Sequence, residues 1–96
     1  MSYNQEMADQ NKIVESKIAQ LVGENIELIQ NDPIGIPKEF GVGLTLTSTA
    51  LDLRDSLLKQ ILEHVNGNDW SKQRKIGVRA KIMRAIWNAK RKQNNE

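Results

Sequence analysis

The chain has 96 residues, of which 39% are hydrophobic and 27% charged, and its formal net charge is +2. This balance is typical of one folded domain with a modest core and excludes a disordered tail. The absence of cysteine excludes disulfides, thiolate zinc sites and cysteine nucleophiles. No apolar run approaches the roughly 18 residues of a membrane span, and no basic and then apolar leader opens the chain. We therefore expect a cytoplasmic protein without contact to a membrane.

The charge is distributed unevenly between the two halves of the chain. Residues 1–48 hold three lysines against seven acids, a net of −4, whereas residues 49–96 hold eleven basic residues against five acids, a net of +6. Such asymmetry favours an acidic or phosphate-bearing partner for the second half. A simpler interpretation is that the two halves attract each other, and the sequence does not decide between the two.

The first predicted element is a helix over residues 3–31, because apolar residues recur there at spacings of three and four. These residues are Val14, Ile18, Leu21, Val22, Leu28 and Ile29, with Ile13 and Ile26 widening the stripe. Ser2 and Gln5 resemble a capping box at its start. Asp32-Pro33 ends it, since proline disfavours helical geometry in the residue before it. Gly23 marks either close packing of a neighbouring helix or a break.

Residues 32–47 form an irregular loop that two prolines and three glycines interrupt. Within it Val42, Leu44 and Leu46 alternate with polar or small residues, which predicts a short extended segment. No other part of the sequence offers this strand a partner. It is therefore interpreted either as a loop packed over the helices or as an edge that pairs with another protein.

Two further helices are predicted over residues 48–65 and 70–92. Thr49 with Asp52 fits a capping box, and Asp69 fits the cap of the last helix. Asn66-Gly67-Asn68 stops the preceding helix, and so short a turn predicts an antiparallel hairpin. The expected fold is all-α: a single domain, residues 1–96, with a long N-terminal helix packed on a C-terminal helical hairpin.

No group of residues predicts catalysis. His64 is the single histidine, and no partner lies at the spacing of a metal site or a catalytic pair. Asp52 and Asp55 are interpreted as surface and capping charges, and no glycine motif of a phosphate-binding loop is present. We expect no enzyme activity, no cofactor and no metal.

The last helix carries the most informative pattern, with two apolar strips and one basic ridge. At about 100° per residue the first strip contains Ile76, Ala80, Met83 and Trp87. The second contains Val78, Ile82, Ala85, Ile86 and Ala89, and both are expected to be buried. The basic ridge contains Arg74, Lys81, Arg84 and Arg91. Such a ridge can follow nucleic-acid phosphates, dock on an acidic protein or simply face solvent.

The two tryptophans do not extend the ridge into a base-stacking surface. Trp70 and Trp87 fall on or near the apolar strips, whereas the ridge itself carries no aromatic residue. We expect both rings to be buried in the core, with an exposed interface anchor as the alternative.

The string DWS at residues 69–71, followed by VRAKIMR at residues 78–84, resembles the C-terminal helical domain of the motor (restriction) subunit of type I restriction endonucleases. The likeness covers about residues 50–92, with Leu57-Leu58 through Val65 as the preceding helix. It implies a non-catalytic domain that docks the motor subunit to the methyltransferase core, which carries the specificity subunit.

The sequence thus predicts a non-catalytic helical protein-docking module. The alternative is a small regulatory nucleic-acid-binding protein, of phage or plasmid type, that uses the basic ridge. Self-association through the wide apolar stripe of the first helix is a third expectation.

Overall fold

The computed structural model describes the backbone of residues 3–37 and 44–94 and the side chains of residues 9–35 and 45–92. The elements in chain order are helix α1 (Tyr3–Glu24), helix α2 (Ile26–Asn31), strand β1 (Gly35–Pro37), strand β2 (Leu44–Leu46), helix α3 (Ser48–Val65) and helix α4 (Lys72–Asn94). The prediction of an all-α fold with a C-terminal hairpin is confirmed. The predicted Ser2 cap and Val42 lie outside the described residues.

The predicted first helix is broken at Asn25, two residues after Gly23. Asn25 has φ −108° and ψ 19°, and its side-chain amide donates to the Leu21 carbonyl at 2.8 Å. A short polar side chain that bonds the backbone in this way competes with helical geometry. A Cβ at Gly23 would meet nothing within 4 Å, so this glycine does not mark close packing. The break turns α2 onto α4, where Lys90 Nζ donates to the Gln30 carbonyl at 2.5 Å.

The loop between α2 and α3 contains a two-stranded antiparallel ribbon. β1 pairs with β2 in the register Gly35 to Leu46, Ile36 to Thr45 and Pro37 to Leu44. The prediction that the extended segment has no partner in this chain is therefore wrong. The partner was not recognisable because two of the three residues in β1 are glycine and proline, which are depleted in strands.

Helix α3 begins where predicted, but its cap is Thr47 rather than Thr49. The Thr47 hydroxyl accepts a hydrogen bond from the Ala50 amide at 3.2 Å and donates one to the Pro33 carbonyl at 2.8 Å. One side chain thus caps the helix and ties it to the residues before the ribbon.

Helices α1, α3 and α4 pack around one apolar core, and α2 closes it at the far end of α4. The buried residues are Val14, Ile18, Leu21, Val22, Ile29, Ile34, Ala50, Leu57, Leu58, Ile61, Val78, Ile82 and Ile86. No polar side chain in the described part of the chain is buried. Contacts near both ends of α4 place it antiparallel to α3 and parallel to α1.

Candidate interaction surface on helix α4

The turn between α3 and α4 determines where the last helix begins. Asn66 ends α3 in the left-handed conformation, with φ 56° and ψ 43°, and the Gly67 amide donates to the Leu62 carbonyl at 2.9 Å. Ser71 then caps α4, because its hydroxyl accepts a hydrogen bond from the Arg74 amide at 3.2 Å. The cap is therefore Ser71 rather than the predicted Asp69, and the helix begins at Lys72.

The Trp70 ring is held between this turn and α4. A Cβ at Gly67 would lie 2.6 Å from Trp70 Cε2, so the ring occupies space that any other residue at position 67 would need. The Arg74 guanidinium carbon lies 4.1 Å from the ring centroid, and Arg74 also donates to Gln10 Oε1 on α1. Trp70 is half-buried and packs on the edge of the core. This cation–π arrangement fixes Arg74 within the fold.

One of the two predicted apolar strips forms the core face of α4. Val78, Ile82 and Ile86 are buried in the core, and Ile86 lies near Ile29 of α2 and Leu53 of α3. Ala85 and Ala89 are half-buried at its border. The second strip is therefore buried at three of its five positions and half-buried at the other two, and spacings of three and four residues keep its members on one side of the helix.

The other strip is not buried, which corrects the prediction. Ile76 is 52% exposed and Ala80 is exposed, while Met83 and Trp87 are only half-buried. We call these four residues the apolar strip. At about 100° per residue they lie on the side of α4 that faces away from α1. Ile76 and Ala80 are left uncovered, whereas Met83 and Trp87 pack in part against the core.

The predicted basic ridge divides into two pairs. Arg74 contacts Trp70 and Gln10, and Lys81 Nζ lies 3.6 Å from Glu15 Oε1 on α1. Arg84 and Arg91 are exposed on the outer surface of α4. The structure therefore does not bring the four cations together as one free row. Two line the α1 side of α4, and two border the apolar strip.

A second basic border lies on the opposite side of the apolar strip, toward α3. Arg54 Nε donates to Asp55 Oδ1 at 3.1 Å, and Arg79 Nε lies 3.8 Å from the same oxygen. Two guanidinium groups thus share one carboxylate. The buried Arg79 Nε has no hydrogen-bond partner, although the side chain as a whole is 36% exposed. Together with Ile76, Ala80 and Met83 these residues line a groove of about 440 Å³ between α3 and α4.

The charge of α4 is only partly balanced within the chain. The helix carries nine basic residues and no acid. Among the described side chains, only Arg79 and Lys81 lie within 4.0 Å of a carboxylate. Of these two pairs, only the one between Lys81 and Glu15 joins the two halves of the chain. Within the described ranges, Arg84 and Arg91 are exposed and have no carboxylate within 4.0 Å.

The second basic border is indicated in the sequence by the position of Arg79. Arg79 falls between the two apolar strips of α4, where a continuous buried face would not place a charge. A charge in that position indicates that one of the strips lies at the surface. Arg54 could not be assigned in this way, because its position beside Arg79 depends on how α3 packs on α4.

The titratable side chains of the described residues are scattered over the surface. No three of their His, Asp and Glu side chains converge as a metal site would require. His64 is exposed in the last turn of α3 and lies in a shallow groove with Lys12, Ile13 and Lys17 of α1. No helix in the described ranges combines the length and apolar character needed to cross a membrane.

Comparison of the chain with protein-family models, with curated proteins and with solved structures finds no match. The resemblance to the type I restriction motor subunit therefore stays a prediction.

Proposed function

We propose that this protein is a non-catalytic docking module of the cytoplasm that binds another protein through the outer face of α4. The observation that supports the proposal is the apolar strip between two borders of arginine, in which Ile76 and Ala80 are exposed and Met83 and Trp87 are half-buried. Exposed apolar residues that stand together with tryptophan and arginine are typical of protein interfaces. If the resemblance applies, the partners are the methyltransferase and specificity subunits of a type I restriction complex.

Burial of the apolar strip would supply most of the binding free energy, and the arginines would fix the orientation of the partner on α4. Removing apolar area from water is worth about 25 cal/mol per Å². Exposed ion pairs contribute only about 0–1 kcal/mol each because water and salt screen them. Binding that depends mainly on Ile76 and Trp87 is thus expected to persist in salt, whereas binding to phosphates is not.

Crosslinking in the native host with the whole chain as bait tests this proposal. The Ile76→Glu variant introduces a charge into the apolar strip, and Ile13→Glu is a matched control, since Ile13 is 48% exposed on α1. We expect the wild type and Ile13→Glu to capture the same identified protein, and Ile76→Glu to lose at least nine-tenths of it. Equal capture by Ile76→Glu and the wild type would contradict the proposal.

The nucleic-acid alternative is distinguished by its response to salt. If Arg74, Lys81, Arg84 and Arg91 contacted phosphates together, log affinity for duplex DNA would fall with log salt at a slope of about −3 to −4. Arg74 and Lys81 are already engaged with α1, which disfavours this outcome. We expect no binding to random-sequence duplex in fluorescence anisotropy near physiological salt. Micromolar binding with that slope would replace docking as the function.

A further inference from the structure

We infer that the apolar strip and its arginine borders receive one amphipathic helix of a partner protein, with Asp or Glu on both sides of that helix's apolar face. The inference rests on the proposed docking function and adds the chemistry of the partner. It depends on three features of the surface: its direction, its small residues and its charge.

The direction of the strip favours a helix as its occupant. Ile76 and Trp87 are eleven positions apart, so the strip runs along about 16 Å of α4, or three helical turns. A partner strand would need free backbone donors and acceptors, but those within α4 bond to each other. A partner helix carries its own satisfied backbone and needs only an apolar face of matching length.

Small residues beside the strip allow such a helix to approach closely. Ala80 lies within the strip, and Gly77, one turn before it, lies toward the α1 flank beside Arg74 and Lys81, exposed and with nothing within 4 Å of where its Cβ would be. Helices pack with axes 8–10 Å apart, and the shorter distances need small side chains at the crossing. An exposed glycine within a long helix lowers stability by roughly 0.5–1 kcal/mol relative to alanine, and at position 77 it also leaves room beside Ala80 for a neighbouring helix.

The charges around the strip indicate an acidic partner. Arg84 and Arg91 border one side, and Arg54 and Arg79 border the other with Asp55 as the only acid within 4.0 Å of them among the described residues. Arg79 shares that carboxylate with Arg54, so a carboxylate from a partner would complete its environment. Guanidinium groups bind carboxylates through two parallel hydrogen bonds.

The same charges argue against a second copy of this chain as the occupant. Two α4 strips placed together would bring arginines of both copies into contact, which like-charge repulsion opposes. The exposed Ile13 of α1 lies beside Lys12 and Lys17 and would meet the same repulsion. Leu28 of α2 has Glu27 as an acidic neighbour, but α2 spans six residues and cannot cover three turns.

A display library of helical peptides, selected on the immobilised whole chain, tests this inference. The peptides carry randomised positions around an i, i+4, i+7, i+11 apolar pattern, and the baits are the wild type, Ile76→Glu and Ile13→Glu. We expect peptides rich in Asp and Glu to be enriched at least tenfold on the wild type and on Ile13→Glu, but not on Ile76→Glu. Strip-dependent enrichment of neutral or basic peptides would overturn the acidic partner and leave docking intact. Absence of any strip-dependent enrichment would overturn both.

One enriched peptide, labelled with fluorescein, then reports the contribution of the borders. We expect Arg79→Ala and Arg84→Ala each to weaken its binding about two- to fivefold, whereas Lys12→Ala, an exposed lysine on α1, has no effect. Equal effects of all three variants would overturn the assignment of the borders.

Sedimentation equilibrium of the chain alone completes the test. A dimer that Ile76→Glu abolishes would identify a second copy as the occupant and overturn the inference.

Discussion

The two flanks of α4 use the same residue types for different purposes. On the α1 flank, Arg74 is fixed by Trp70 and Gln10, and Lys81 faces Glu15. On the outer flank, Arg84 and Arg91 remain exposed beside a strip whose Ile76 and Ala80 are exposed as well. A cation on a helix therefore stabilises its own fold or remains available to a partner according to which neighbour it meets. Substitutions on the α1 flank are expected to change stability, and those on the outer flank to change binding.

The largest expected effect tests whether the apolar strip really lies outside the core. Ile82→Asp places a charge at a fully buried position, and we expect a loss of more than about 4 kcal/mol in the free energy of unfolding. Ile76→Asp on the outer flank should cost no more than about 0.5 kcal/mol. Urea denaturation followed by circular dichroism measures both values. Similar losses for the two variants would show that Ile76 is a core residue.

The second largest effect is expected at the turn that holds the Trp70 ring on the α1 flank, where a substitution should lower the free energy of unfolding. Gly67→Ala introduces a Cβ 2.6 Å from Trp70 Cε2, so the ring must move and its contact with Arg74 must change. We expect a loss of about 1–3 kcal/mol, the usual range for overpacking. Urea melts give the energy, and a changed tryptophan emission spectrum would show that the ring moved. A variant as stable as the wild type would mean that the turn adjusts without strain.

A substitution at Gly77 is expected to raise the stability of the protein instead of lowering it. A Cβ there meets nothing within 4 Å, so Gly77→Ala should stabilise α4 by about 0.5–1 kcal/mol through its higher helix propensity. Gly23→Ala in α1 is the matched control, because its Cβ would also be in open space. Both should raise the urea midpoint, but only Gly77→Ala should weaken capture of the partner. Equal capture by both variants would remove Gly77 from the docking surface.

The smallest expected effect is the loss of the ion pair between Lys81 and Glu15. Their side chains are 42% and 63% exposed. A double-mutant cycle with alanine at both positions should give a coupling energy of about 0.2–1 kcal/mol, lower at high salt. Arg84→Ala is the reference on the outer flank and should leave stability within about 0.5 kcal/mol of the wild type. A coupling energy above that range would show that the α1 flank depends on charge more than its exposure suggests.

Local patterns were sufficient to predict the helices and the limits of the hairpin. Apolar spacing, the stop at Asp32-Pro33 and the left-handed Asn66 act within a few residues of the chain, so they are readable without the fold. The break at Asn25 was harder to predict from the sequence. An asparagine whose side chain donates a hydrogen bond to the Leu21 carbonyl has the same appearance in the sequence as any other polar residue on a helix surface.

Only the tertiary structure decided which apolar strip of α4 is buried and which cations are engaged. Ile76 and Ile82 are equally hydrophobic, so hydrophobicity does not predict which of the two is buried. Burial depends on the side from which α1 and α3 approach α4. The pairing of β1 with β2 and the sharing of Asp55 by Arg54 and Arg79 depend in the same way on residues distant in sequence. Periodicity determines the faces of a helix, but the packing of its neighbours determines which of those faces are left for a partner.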